Sequence, residues 1–393
     1  MKNFATLVLK SGRDRAVLNR HPWIFSGAVK EMPTAENGEI IAVTDNHKKL
    51  LGYGFFSPNS QIVCRFFHFT NTPVEDFDEY FWETKIQEAY LLRKNLVIDA
   101  NTNSYRLLHA EGDFISGIIV DIYDSVAVIQ LLIKGTERIY LELIQAIRNL
   151  GIQYIYLKTK QNSQFLENIS ISEGWLGEKP IAQILAKENG FIFPIDVEKG
   201  QKTGFFIDQR DNRALLKHYS KGKKVLNAFS YTGGFSVYAL AGGATEVQSV
   251  DISKDAIAVC EESIKLNFSD VNHTGIAADC FDFLRKNEEL YDIIVLDPPA
   301  FAKSAKHVAN ASRGYKDLNL LGLKKLNKGG LLFTFSCSGN IDKELFRKIV
   351  FSAAADAGRD VRILHQVSQA IDHPINIFHP EGEYLKGLVL YVS

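Results

Sequence analysis

The sequence predicts an α/β protein whose C-terminal half is a Rossmann-like, doubly wound domain, preceded by a small β-barrel and a compact α+β domain. Three observations carry this. Residues 225–250, VLNAFSYTGGFSVYALAGGATEVQSV, run from a β-branched strand through a glycine turn into a helix and meet Asp251 at the tip of a second strand, the layout of a nucleotide-binding βαβ unit. YDIIVLDPPAF (residues 291–301) carries an apolar run, Ile293 to Leu296, ending in an acid and two prolines, as a parallel strand buried on both faces requires. Residues 1 to 70 alternate short apolar runs with Gly, Pro and Asn turns, the spacing of a small barrel.

From the N-terminus, ATLVL, WIFSGAV, EIIAVT, LLGYGFF and QIVCRFF supply the barrel, placed over 1–70. FTNTPVEDFDEY is polar, contains Pro73 and reads as a hinge into a helix from Asp76 to Leu96. SYRLLHAEG, SGIIVDIYDS and VAVIQLL read as strands, 139–150 as a helix and QYIYLKT as another strand, giving an α+β domain over 71–189. In its loop 109–113, Glu111 and Asp113 either reach an active site or only shape a polar turn. The third domain, 190–393, begins with two strands, 191–197 and 203–206, forming a flap, and a helix over 208–216. No internal repeat of useful length is present.

The turn at Gly233-Gly234 lets backbone approach a ligand closely. It is not G-x-G-x-x-G, and Asn227, Phe229 and Tyr231 leave little room for a pyrophosphate. S-adenosylmethionine, which has no phosphate, therefore fits better than a nicotinamide dinucleotide; the plain alternative is a βαβ unit whose glycines only make the turn. The expected cofactor contacts are Asn227, Ala228, Phe229, Ser230, Tyr231, Thr232, Gly233 and Gly234 in the turn, with Asp251 and Ile252 at the ribose. GIAADCFDFL reads as a strand ending in Asp279, which with Cys280 faces the adenine. Asp297 and Pro298 close the set, and Phe206, close in sequence to the turn, lines the methionine pocket.

Asp297-Pro298-Pro299 makes a rigid carboxylate at a strand end, although a purely structural turn also tolerates Asp-Pro. The next strand, GGLLFTFSCSG, places Cys337 in the same row. Buried cysteines are commonly inert, but parallel neighbours bring their carboxyl ends to one crevice, where a thiol serves as a nucleophile. C5 of a pyrimidine is too weak to attack a sulfonium. Adding a thiolate at C6 makes C5 enamine-like, and an acid near N3 stabilises the charge that develops.

LNAFSYTGGFSVYA, LDPPAFAKS, RGYKDLNLLGLKKLNKGGLLFTFSCSG and DHPINIFHPEGEYLKGLVLYVS resemble the bacterial 23S ribosomal RNA cytosine-5 methyltransferases that carry an N-terminal PUA domain. GRDRAVLNRHPWIFSGAV and HAEGDFISGIIVDIY extend the likeness along the whole chain. The resemblance implies a class I methyltransferase fold, S-adenosylmethionine as donor, ribosomal RNA as partner, and Cys337 at the position of the family's nucleophile. One position departs: Phe335 stands where the family often has a second cysteine. Two other readings remain open, an amino methyltransferase acting on adenine N6 or cytosine N4, and a non-catalytic ribosome-assembly factor. Against the first, Ala300 separates the prolines from Phe301.

The 393 residues leave room for two or three cores. No apolar run is long enough for a membrane span or a secretory signal, so a cytoplasmic location is expected, with no membrane partner and a homodimer left open. The four cysteines are widely spaced and give neither a disulfide framework nor a metal site. The net charge of −1 hides basic clusters. From these, Arg13, Arg15 and Arg20 with Trp23 in the barrel, Gln209, Arg210 and Arg213 in the helix before the cofactor strand, and Lys303 and Arg313 after the Asp-Pro-Pro turn are expected to meet RNA. Gln209, Arg210 and Arg213 have a second option, the donor's carboxylate.

Overall fold

The computed structural model describes residues 4–159, 167, 169–302 and 304–393. The chain packs as two compact units, Met1–Gly190 with Ile195–Ile207 and Ile371–Gly382, and Phe191–Pro194 with Asp208–Ala370 and Glu383–Ser393.

In the first unit, β1 (Thr6–Leu9), β2 (Trp23–Phe25), β3 (Val29–Glu31), β4 (Ile40–Thr44), β5 (Leu50–Phe56) and β6 (Ile62–Phe69) form a sheet of order β2-β6-β5-β4-β1-β3. β1 and β4 run parallel. Leu7, Leu9, Ile24, Ile41, Val43, Val63 and Phe66 fill its core. The helix predicted from Asp76 runs Glu79–Leu96, because the Asp78 carboxylate accepts the Phe81 N–H and caps it. A second sheet follows: β7 (Ser104–His109), β8 (Ile118–Tyr123), β9 (Val126–Leu131), β10 (Tyr154–Leu157) and β11 (Gly174–Trp175), in the order β11-β10-β9-β8-β7, with the helix Tyr140–Asn149 between β9 and β10. Phe55 and Phe67 of the first sheet, Trp82 of the helix and Ile129 of the second sheet belong to one buried cluster. β12 (Ile184–Glu188) and β13 (Phe191–Ile195) come next.

Two sequence expectations are corrected. Residues 203–206 form a turn, not a strand. Gly204 sits at φ +134°, where a Cβ would lie 2.7 Å from Ile195 Cγ2, the Thr203 hydroxyl donates to Asp121 (2.6 Å), and the Phe205 N–H donates to the Tyr123 hydroxyl (3.2 Å). The strand predicted to end at Asp279 stops at Ala277, and Asp279 caps the helix Cys280–Lys286 by accepting the Asp282 N–H at 2.9 Å.

The second unit is built on β14 (Lys224–Ala228), β15 (Glu246–Asp251), β16 (His273–Ala277), β17 (Tyr291–Leu296), β18 (Leu326–Ser336), β19 (Val361–Val367) and β20 (Lys386–Val392), ordered β16-β15-β14-β17-β18-β20-β19. The first five are parallel and β20 is antiparallel to both neighbours. Ile293 to Leu296 are fully buried, as continuous apolar character in a central parallel strand demands. Helices Cys280–Lys286, Val308–Lys324 and Lys343–Ala357 pack Leu284, Tyr315, Leu318, Phe346 and Ile349 against Leu226, Ile294 and Leu332 of the sheet. The strand order reverses between β14 and β17, and the crevice at such a switch point is where ligands bind.

Candidate functional site

β14 ends at Ala228, which pairs with Val250 of β15 and Leu296 of β17. The next five residues make a tight cradle in which Phe229 (φ 61°), Tyr231 (φ 46°) and Gly233 (φ 81°) are left-handed. For the two aromatics this costs about 1–2 kcal/mol each, strain of the kind that gathers at functional sites. Glycine is required at 233 because a Cβ would meet Cys260 Sγ at 2.4 Å. The Tyr231 N–H donates to Asp251 Oδ2 and the Ser253 N–H to Asp251 Oδ1, both at 2.9 Å. The acid at the second strand end is thereby fixed and retains lone pairs for a diol.

Three buried polar atoms in this cradle have no partner: Asn227 Oδ1, Ser230 Oγ and Thr232 Oγ1. Asn227 is held by its other end, Nδ2 donating to Ser236 Oγ at 2.8 Å. Unsatisfied buried polar atoms are rare and costly in a folded chain. Clustered beside Asp251, they fit a polar ligand such as S-adenosylmethionine. Ile252 is 73% exposed, a free apolar side chain following the acid. Asp279 is exposed with one oxygen engaged in its cap. Cys280 is buried, its sulfur accepting the Phe229 N–H at 3.2 Å.

Across the switch point, Leu296 pairs in parallel with Thr334, so Asp297-Pro298 and Cys337 leave neighbouring strands at one edge. Cys337 Sγ lies 3.9 Å from the Pro298 carbonyl. The two loops are tied through Ser338, whose hydroxyl takes the Ala302 N–H (3.3 Å) and meets the Tyr315 hydroxyl (3.0 Å). Lys386 Nζ donates to the Ser338 carbonyl at 2.7 Å. Burial pushes the thiols of Cys260 and Cys280 up to about 12 and that of Cys64 higher still. Cys337 is the half-exposed cysteine. Phe335, two residues before it, is fully buried with its ring 5.6 Å from that of Phe235, so this position serves core packing.

The other predicted site residues are spread over both units. Phe206 is in the first unit, half-buried, with the Lys202 ammonium 4.3 Å from its ring centre. Arg13, Arg15 and Arg20 are exposed, and the Arg20 guanidinium lies over Phe69 (5.6 Å) and Phe378 (5.8 Å). Trp23 is half-buried, donates to Glu111 at 2.9 Å and packs on His379. Asp113, on the same loop as Glu111, is held by Arg93. In the second unit Gln209, Arg210 and Arg213 are all buried, and Arg313 is exposed. Lys303 lies outside the described residues. Sequence reasoning missed Ser338, Tyr315 and Lys386; YLKG, which holds Lys386, was part of the terminal motif, but nothing local marks its lysine as buried. Among the described residues no group of three or more His, Cys, Asp or Glu side chains is placed to hold a metal.

The chain matches the family model of the S-adenosylmethionine-dependent methyltransferases over residues 160–357 and that of the PUA-like domain over 7–69. It is 42% identical to the ribosomal RNA large subunit methyltransferase I of Escherichia coli, with 98% of this chain and 99% of that protein covered. With the protein of the same name from Alteromonas mediterranea it shares 40% identity, over 99% of both chains. Among solved structures it is similar to SMU.776, a methyltransferase complexed with SAH, with a TM-score of 0.85 and 25% identity over 99% of this chain and 100% of that one.

Proposed function

The chain belongs to the family of S-adenosylmethionine-dependent methyltransferases that includes the large-subunit ribosomal RNA methyltransferases I, and we propose that within it the protein forms 5-methylcytidine in 23S ribosomal RNA. It is an S-adenosylmethionine-dependent methyltransferase. The observation that carries the finer reading is the half-exposed thiol of Cys337 at the strand edge that also presents Asp297, while the other three cysteines are buried and held protonated.

The donor, when bound, supplies an electrophilic methyl on a sulfonium. The left-handed turn 229–233, with Asn227, Ala228, Ser230, Thr232 and Gly234, would hold it, Asp251 accepting the ribose hydroxyls with Ile252 alongside and Asp279 facing the adenine amine near Cys280. Pro298 keeps the Asp297 backbone extended. Cys337, as thiolate, forms a bond to C6 of a cytosine taken out of its stack, and Asp297, in its acid form, holds the base edge and gives a proton to N3 as the electron pair arrives there. C5, now enamine-like, takes the methyl. Loss of the C5 proton to water or to Asp297 returns the electron pair and breaks the sulfur–C6 bond. With Phe335 in place of a second cysteine, no neighbouring thiol shares that last step.

We assign RNA contact to Arg13, Arg15, Arg20 and Trp23 in the PUA-like segment 1–70 and to Lys303 and Arg313 beside the site. Residues 71–189 form the central domain and 190–393 the methyltransferase domain. Buried guanidiniums do not suit an open RNA surface, so for Gln209, Arg210 and Arg213 the reading kept is support of the donor's carboxylate. The amino-methyltransferase alternative is weakened by Phe301, whose ring packs 4.5 Å from Tyr315.

RNA containing 5-fluorocytidine tests the covalent step, because fluorine at C5 blocks proton loss and leaves the adduct in place. The expected outcome is a protein–RNA band stable to denaturing electrophoresis, dependent on S-adenosylmethionine and absent in Cys337→Ala. No band with wild-type protein on undermodified large-subunit RNA contradicts it.

A further inference from the structure

Lys386 is a buried charge at the site that the chemistry above does not use. It is 3% exposed, and lysine is almost never buried without an anionic partner. The two hydrogen bonds of its ammonium go to neutral acceptors, the Ser338 carbonyl at 2.7 Å and the Tyr384 carbonyl at 2.8 Å. An ammonium has three protons to give. No carboxylate of the described residues ion-pairs with it, and Glu383, its neighbour in sequence, is engaged with Lys343. The register Ser336↔Lys386 between β18 and β20 sets it at the strand end from which Cys337 emerges.

We propose that Lys386 is a positioning residue for the nucleophile: its ammonium, fixed by two carbonyls, clamps the Cys337–Ser338 loop and pairs with the Cys337 thiolate. This rests on the reading of Cys337 as nucleophile. Burial draws Lys386 down to about 8, and among the groups that oppose the fall Cys337 acts most strongly, ahead of Asp342 and Glu383. The other groups around the thiol do not replace this charge. From the helix Val308–Lys324, Tyr315 faces Cys337 as a phenol that burial keeps protonated. Just past β17, Asp297 offers a carboxyl group and no positive charge. From the start of the last helix, Asp342 caps the Leu345 N–H at 2.7 Å. A positive charge is what a thiolate needs beside it, and Lys386 brings one to this strand end.

The test is the pH dependence of iodoacetamide alkylation at Cys337, read by peptide mass spectrometry on the full chain from about pH 5 to about pH 10, with Cys337→Ala as blank. Wild type is expected to react with a midpoint about one unit or more below a free thiol. Lys386→Gln, which keeps a donor but loses the charge, raises that midpoint by about one unit or more, and Lys386→Arg keeps it low. An ordinary midpoint in wild type, or equal midpoints in wild type and Lys386→Gln, overturns the proposal; the first holds even if the glutamine variant does not fold. Alkylation needs neither donor nor RNA. A low midpoint without 5-methylcytidine formation therefore defeats the proposed reaction and leaves the pair standing, and an ordinary midpoint with 5-methylcytidine formation defeats the pair alone.

Discussion

Gly233 shows how much one residue decides at this site. Its φ of +81° and the 2.4 Å approach of Cys260 Sγ to a would-be Cβ leave no place for a side chain, so Gly233→Ala is expected to lose about 1–3 kcal/mol of stability and to weaken S-adenosylmethionine binding. Chemical denaturation and titration calorimetry check the two effects separately. A second residue-scale outcome follows from Lys386. Its ammonium is held near 8 against an ordinary 10.5, so between those values the unfolded chain binds more protons than the folded one and stability rises with pH. The gain is complete above the ordinary value and is lost as pH falls through about 8. The denaturation midpoint of wild type should therefore climb relative to Lys386→Met between pH 8 and 10, and parallel curves would show that the ammonium is not strained by burial. At this scale Asp251 and Cys337 were legible because each sits at the end of its own apolar run. Lys386 was not, since its contact with Ser338 joins residues 48 apart in sequence through an antiparallel pairing that no local pattern announces.

Elements were read best where hydrophobic runs were long and buried, as in β14, β17 and β18. They were read worst where side chains override the run. TGFF at 203–206 looks extended, yet Asp121 and Tyr123 bind it as a turn. The segment around Asp279 stays apolar past the strand, but an aspartate that caps a helix marks the helix start instead. Ser253 plays the same part for the helix Lys254–Asn267, accepting the Ala256 N–H. Ser253→Ala is expected to cost about 1 kcal/mol of stability while leaving donor affinity nearly unchanged, because Asp251 is held by the Ser253 backbone and not by its hydroxyl. Calorimetry showing a large loss of affinity would mean that the cap also shapes the proposed donor site at Asp251.

For the whole molecule, a net charge of −1 conceals an exposed basic turn at Arg13, Arg15 and Arg20. If these three meet RNA phosphates, replacing them with alanine lowers the slope of log affinity against log salt by about 2, measured by filter binding over a salt series; an unchanged slope places the RNA elsewhere. The turn's basic character was plain in the sequence, whereas the pairing of Trp23 with Glu111 and His379 depends on segments far apart in the chain. The chemistry itself is tested most directly by giving wild type and Cys337→Ala labelled S-adenosylmethionine and undermodified large-subunit ribosomal RNA, then digesting the RNA to nucleosides. Label in 5-methylcytidine with wild type and none with the variant is the expected result. Label in an amino-methylated base, or undiminished transfer by Cys337→Ala, contradicts the covalent mechanism.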